Sequence, residues 1–357
     1  MRLIVGRGRK AASVAALVVL AQSPNLASAQ GCEPIRFTTP IELGGGGQAY
    51  QRHHEWRVTL AYRRLHSTDW YVGTSQDPSL APGGQSPVFN IHTFIADVAY
   101  APTDRLRLRV SAPYSTGSLN RIWGDGQQHQ QNASGIGDLT VAGDVWLLAP
   151  RTHENGNVSL GLGIKAPTGS HSKPSQFYTA GGPVDFPADQ TIQPSDGGWG
   201  FTLQAQGFQR FAENWFGYGS GSYLANPKAE TEVLFNPSSS VHWSVPDVYS
   251  ARLGTAVAIL PDQGLTASLG LRMDGIPKND LVGGGDTTTI KRTSNILYAD
   301  PGLSLRQGRS TFTVNMPVRL HVNRIKSGLE ERSTGPGAVN GGGFAKYLLF
   351  ASYAYRF

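Results

Sequence analysis

Arginine recurs in this chain at the two-residue spacing of an extended backbone, on faces that it shares with polar neighbours. Arg107 and Arg109 stand two apart, Arg57 and Arg63 share one parity of a single stretch, and Lys165, Arg210, Arg252, Arg272, Arg306, Arg319, Lys346 and Arg356 fall on the polar parity of later stretches. Five carboxylates take the same side: Asp97, Asp138, Asp144, Asp274 and Asp300. Guanidinium groups grip carboxylates through two parallel hydrogen bonds or lie against aromatic rings. Gathered in a narrow, low-dielectric bore, twelve cations against five anions would focus a positive potential and favour anionic or polarisable solutes. The same groups could equally serve as wall-to-wall ion pairs.

Enzymatic chemistry has little support. There is no Gly-x-Ser-x-Gly elbow, no phosphate loop ending in Lys-Ser/Thr and no His-Glu-x-x-His pattern. His242 and Ser244 share a strand face, a spacing that resembles outer-membrane phospholipases, but without the flanking Asn of that family. His53-His54 reads as a solvated pair and Asp286 after Gly283, Gly284 and Gly285 as one isolated turn of a calcium repeat, so no metal or cofactor is expected. The chain reads as a non-enzyme.

The elements that must position these charges are strands. Trp56, Val58, Leu60 and Tyr62 alternate with Arg57, Thr59, Ala61 and Arg63, and the same period runs through 92–100, 106–114, 138–147, 158–166, 201–210, 249–259, 265–274, 297–305 and 312–323. Residues 215–224 are too rich in Gly and Ser to assign faces. On the apolar faces no charge occurs. Connections near 101, 149, 211, 261 and 307 are short, whereas 66–88, 115–136, 168–198, 225–247, 275–296 and 324–342 are long. Short turns on one side and long loops on the other are what an outer-membrane barrel requires when both termini lie in the periplasm.

The last strand, 343–357, has Phe357, Tyr355, Tyr353, Ala351, Leu349 and Tyr347 on one parity, with Lys346 and Arg356 expected on the lumen side. It resembles the closing strand of bacterial outer-membrane barrels, and the resemblance implies that Phe357, Tyr355 and Tyr353 signal to the barrel-assembly machinery. At the other end, Arg2, Arg7, Arg9 and Lys10 precede the apolar stretch 11–21 and a small-residue cleavage site at Ala27-Ser28-Ala29. This is the pattern of a signal peptide over 1–29. It holds 4 of the 31 basic residues and none of the 25 acidic ones, leaving 27 against 25, so global basicity gives no reason to expect nucleic acid. Cys32 is the only cysteine, and no internal disulfide is possible.

The expected fold is therefore all-β: a single 12-stranded antiparallel transmembrane β-barrel of the outer-membrane type over 55–357, in contact with outer-membrane lipid and preceded by a flexible arm over 30–54. Two segments, SGIGDLTVAGDVWLL (Ser134 to Leu148) and LGLGIKAPTG (Leu160 to Gly169), resemble a family of outer-membrane transporters associated with the meta-cleavage pathway of phenol degradation. Gly135, Gly137, Asp138, Lys165, Pro167, Thr168 and Gly169 carry the likeness. It implies passive uptake of small organic, often aromatic, solutes across the bacterial outer membrane. A porin for acidic oligosaccharides and a non-conducting surface scaffold or adhesin remain open from the residues alone.

Overall fold

The structure, a computed structural model, describes residues 50–332 and 341–357. The leader, Cys32 and the arm up to residue 49 lie outside them. Twelve antiparallel passes close into one barrel: β1 (Trp56–Val72), β2 (Val88–Tyr100), β3 (Leu106–Ile122), β4 (Gln128–Ile136 and Leu139–Trp146), β5 (Gly156–Ala166), β6 (Gly200–Ala212), β7 (Trp215–Ala225), β8 (Val248–Leu260), β9 (Leu265–Ile276), β10 (Ser294–Ala299 and Gly302–Gln307), β11 (Ser310–Asn315 and Val318–Arg324) and β12 (Gly341–Arg356). Each strand pairs with the next, and β12 closes on β1 from Arg57 opposite Arg356 to Val72 opposite Gly341. Closure leaves no open edge, the condition for burying strands in lipid.

Alternation sets the two surfaces. Leu60, Val141, Leu162, Leu203, Leu253 and Leu269 lie on the outside and are exposed, with Leu162 and Leu253 each 70% accessible. A continuous apolar belt of this kind is the surface that faces acyl chains. Opposite parities point inward and are mostly buried: Arg57, Thr59 and Arg63 on β1, Asp97 on β2, Arg107 and Arg109 on β3. At the end that carries the termini the turns are tight, as at Gly264, whose φ of +71° closes the β8–β9 turn. The other end carries two extra hairpins, Pro174–Thr179 with Gly182–Pro187 and Glu230–Leu234 with His242–Ser244, and the short helix α1 (Gly328–Arg332).

Several expectations need correction at this outer end. The stretch 115–136 is not a loop: β3 runs on to Ile122 and pairs with Gln128–Ile136, so the hairpin rises past the apolar belt before turning. Likewise β1 continues to Val72. Three passes are broken, at Gly137-Asp138, at Asp300-Pro301 and at Met316-Pro317. Proline has no N–H for the ladder, and the carbonyls of Pro301 and Pro317 instead accept from Met316 and Leu348 at 3.0 and 2.9 Å.

Irregular pairing also reverses faces. The β10–β11 register slips between Leu297/His321 and Tyr298/Arg319, and beyond it Val322 is 3% exposed inside the barrel while His321 is exposed. Straight counting by twos had placed them the other way round. The β1–β12 register shifts on either side of Ser67, and the Lys346 side chain beside it turns out of the bore: it is 67% accessible and only its tip comes within 3.8 Å of Asp69, while Ala345 and Leu348 are buried. A bulge adds one residue and so turns every later side chain over.

If the apolar belt faces lipid, Leu162→Arg near the middle of β5 should destabilise the barrel by about 2–4 kcal/mol in bilayers. Reversible denaturant titration in phosphatidylcholine vesicles measures it, with the inward Ser159→Ala on the same strand as a control of smaller effect.

Candidate functional site

The lower and middle lumen hold a lattice of ion pairs built across neighbouring strands. Arg107 lies opposite Asp144 in the β3–β4 register, and its Nη2 donates to Asp144 Oδ2 at 3.1 Å. Arg109 donates to Gln204 Oε1 at 2.8 Å and lies 4.0 Å from both Asp97 and Asp144. Asp97 faces Ser111, which donates to it at 2.5 Å. Arg252 and Arg272 are directly opposite each other, a repulsive placement that each relieves on a separate carboxylate: Arg252 on Asp300 at 2.6 Å and Arg272 on Asp274 at 2.7 Å. Arg319 donates to Asp69, to the Tyr71 hydroxyl and to the carbonyls of Phe344 and Ala345.

Thus Arg107, Arg109, Lys165, Arg252, Arg272 and Arg319 meet carboxylates, and all five expected lumen aspartates are engaged. Arg63 lies 5.4 Å from the Phe350 ring, which also receives Arg272 at 4.6 Å. Arg57 is buried between β12 and β2, and Arg306 and Arg356 stand at the periplasmic end. Arg210 is exposed there, its Cζ 5.1 Å from the Phe216 ring. Asp69 pairs in register with Phe344, higher on β1 than the other charges, and meets Arg319 there; the expected first strand ended at Arg63 and did not reach it.

Above this lattice the bore is filled. Leu65, Phe89, Ile91, Leu119, Ile296, Tyr298, Val322, Phe344 and Leu348 point inward as one apolar cluster, joined by Ala188 and Ile192 from the β5–β6 connection. That connection enters the barrel. Ile192 packs so closely on Gly117 of β3 that a Cβ there would lie 2.9 Å from the Ile192 Cβ. Lys165 on β5 bonds both oxygens of Asp196 at 2.5 and 2.6 Å and lies 3.7 Å from Asp138, which accepts from Ser195 Oγ at 2.6 Å. Asp138 is presented by the break in β4. Higher up, Asp189 receives Arg292 through two bonds, of 3.0 and 2.7 Å. Burial pushes the Asp189 carboxyl up, but Arg292 and Thr191 outweigh it and bring it down to about 2. Its stabilising contribution is therefore complete above the ordinary carboxylate range and fades only as pH falls toward 2.

The lower mouth is also occupied. The Tyr50 ring lies edge-on to Trp146 and Phe208, with centroids 4.9 and 5.6 Å away, and the Arg356 guanidinium donates to its carbonyl at 3.3 Å. The His53-His54 pair is stacked, and His54 Nδ1 bonds the Tyr100 hydroxyl at 2.6 Å. His242 pairs with Glu230 in the outer hairpin and Asp286 with Lys291. These motifs have structural partners.

On top of the apolar cluster, at the outer mouth, is a cavity of about 210 Å³. Phe89 and Leu119 form part of its floor; Trp70, Trp123, Phe177, Phe186, Phe235 and Trp243 supply rings, and Arg121, Asp189 and Arg292 are its charged residues. Arg292 lies over Trp243 at 4.5 Å and Arg121 over Trp123 at 3.8 Å. None of these was singled out in the sequence, because nearly all of them sit in stretches with the pattern of long connections. A signal was present: Leu119, Arg121 and Trp123 continue the inward parity of β3.

No family model matches the chain, and no curated protein matches it in sequence. Among solved structures, an outer membrane channel from Pseudomonas putida F1 has a TM-score of 0.61 at 15% identity, over 90% of this chain and all of that one (100%). The Ralstonia pickettii toluene transporter TbuX has a TM-score of 0.44 at 10% identity, over 91% and 99%. A Pseudomonas aeruginosa FadL homologue has 0.40 at 8%, over 85% and 90%. The first shares the fold of an outer-membrane barrel; the other two are too different in shape to bear on this chain.

Removing Lys165 leaves Asp138 and Asp196 buried together without their cation, so Lys165→Met should cost about 3–5 kcal/mol. Adding Asp138→Asn and Asp196→Asn should recover most of the loss, and a denaturant-based mutant cycle reads the coupling.

Proposed function

We propose that this protein is an outer-membrane channel for passive uptake of small organic solutes, aromatic or anionic. The observation that carries the reading is the ring-lined, arginine-bearing cavity at the outer mouth, placed above the apolar cluster and, below that, the charge lattice. A solute would leave water for aromatic walls first and meet polar groups further in. Such an order suits a ring with a polar substituent better than a hydrated sugar chain, which would have to shed its water at the apolar cluster. The resemblance of Ser134 to Leu148 and Leu160 to Gly169 to transporters of the phenol meta-cleavage pathway supports the same substrate class.

In this account the inserted connection 188–198 is the gate. The cations Arg107, Arg109, Lys165, Arg252, Arg272 and Arg319 hold the wall through their carboxylates, and Arg57 and Arg63 add to the basic lining of the bore, whereas the expected lumen group Arg210 is exposed at the periplasmic end. Assembly depends on Phe357, Tyr355 and Tyr353 at the closing strand, and the apolar belt contacts outer-membrane lipid. The filled lumen also favours a second reading, a closed barrel that displays its outer hairpins and conducts nothing.

Planar-bilayer recording separates the two. The channel reading expects small anion-preferring currents from the full chain, and a several-fold larger conductance when Ala188 to Gly197 are replaced by a short Gly-Ser linker. Silence in both proteins would leave the scaffold standing and overturn the channel.

A further inference from the structure

We propose that the outer cavity is a binding site for single-ring aromatic carboxylates, with the carboxylate on Arg121 and the ring among the surrounding aromatic side chains. The proposal deepens the channel reading and rests on it for its use in uptake, although binding itself can be tested apart from conduction.

The charges of the cavity do not balance. Two guanidinium groups face one carboxylate, and that carboxylate, Asp189, is taken up by the two-pronged contact with Arg292. Arg121 is left with ring contacts, at 3.8 Å to Trp123 and 6.0 Å to Phe177, and has no hydrogen-bond or ion-pair partner among the described residues. Its Nε is shielded from solvent and unpartnered. A guanidinium presents its five donors in its own plane, so a ring over one face leaves the donor edge unsatisfied. A ring contact over one face offers the edge donors nothing, and a buried donor without a partner costs at least as much as such a contact returns. Packing against Trp123 alone therefore does not account for an arginine here, and a missing acceptor does.

The shape of that acceptor follows from the walls. A carboxylate matches the planar donor edge with two parallel bonds. A neutral arene would fill the apolar space and leave Arg121 as it is; a small acyclic acid would satisfy Arg121 and leave the rings uncovered. A cavity of about 150 Å³ holds a benzene molecule, so the space of about 210 Å³ found here suits one ring and its carboxylate. Inorganic phosphate would bring more charge toward Asp189 and gain nothing from the aromatic walls.

The test uses the full chain in detergent and the intrinsic fluorescence of Trp70, Trp123 and Trp243, which line the cavity. Benzoate, benzyl alcohol and acetate are titrated against the parent protein, Arg121→Gln and Arg121→Lys, each first shown to be folded by its heat-modifiable migration in gels. Benzoate should bind the parent more tightly than either control. Arg121→Gln should weaken benzoate by about tenfold or more, the range for losing a charge-assisted pair, and Arg121→Lys by less, with benzyl alcohol changed by less than about twofold. Equal binding of benzoate and benzyl alcohol to the parent, or equal losses of both in Arg121→Gln, would overturn the site. If Arg121→Gln does not fold, Arg121→Lys and the parent's preference for benzoate decide. Arg121-dependent binding without conductance would refute the channel and leave the site; conductance without such binding would do the reverse.

Discussion

Inside a membrane no water is available to a backbone N–H, and every strand must find its partner within the protein. That constraint makes the barrel, because closure of β12 on β1 is the one way to pair the first and last strands. It also makes the interior. Once lipid takes one parity of each strand, every polar side chain is driven to the other, and twelve strands bring those groups within reach of one another. A cation held in a narrow bore loses much of its hydration and must recover it from neighbours. The pairs Arg107–Asp144 and Arg252–Asp300 between strands and Arg272–Asp274 along β9 are the result, and so is the use of Lys165 to hold a connection inside the barrel.

Strand period made the fold legible in the sequence, because lipid punishes every misplaced charge and keeps the outward parity clean. The lower lumen was legible for the same reason: Arg57, Arg63, Arg107 and Arg109 and the five aspartates follow from counting in twos. Counting fails where the ladder is irregular. One slip beside Leu320 exchanged the faces of His321 and Val322, and another turned Lys346 outward. Above the lipid belt both faces of a strand become polar, and the alternation that identified β3 and β1 fades although the strands continue through Arg121 and Asp69. The connection 188–198 carries no period at all. Its place inside the barrel is set by tertiary contacts, Ile192 on Gly117 and Asp196 on Lys165, that no local pattern encodes.

The two halves of the lumen do different work. Below, nearly every charge has a countercharge, which stiffens the wall and leaves a modest positive bias. Above, the apolar cluster and the inserted connection occupy the bore, and the cavity over them is rich in rings, with one guanidinium still lacking an acceptor. The cavity and the filling of the bore are therefore adjacent: Ala188 and Asp189 line the cavity, and a few residues later Ile192 and Asp196 occupy the bore. In the proposed channel, a ligand that rearranged the Asp189 and Arg292 contacts would act directly on the segment that fills the bore.

Everything above the charge lattice depends on 188–198 being part of the barrel interior. Backbone hydrogen exchange, followed by mass spectrometry on the full chain in lipid nanodiscs, tests it most directly. Peptides covering 190–198 should exchange as slowly as those of the neighbouring barrel strands and far more slowly than the outer hairpin 174–187. Exchange of 190–198 as fast as that hairpin would contradict it, and would mean that the bore is not closed by this segment.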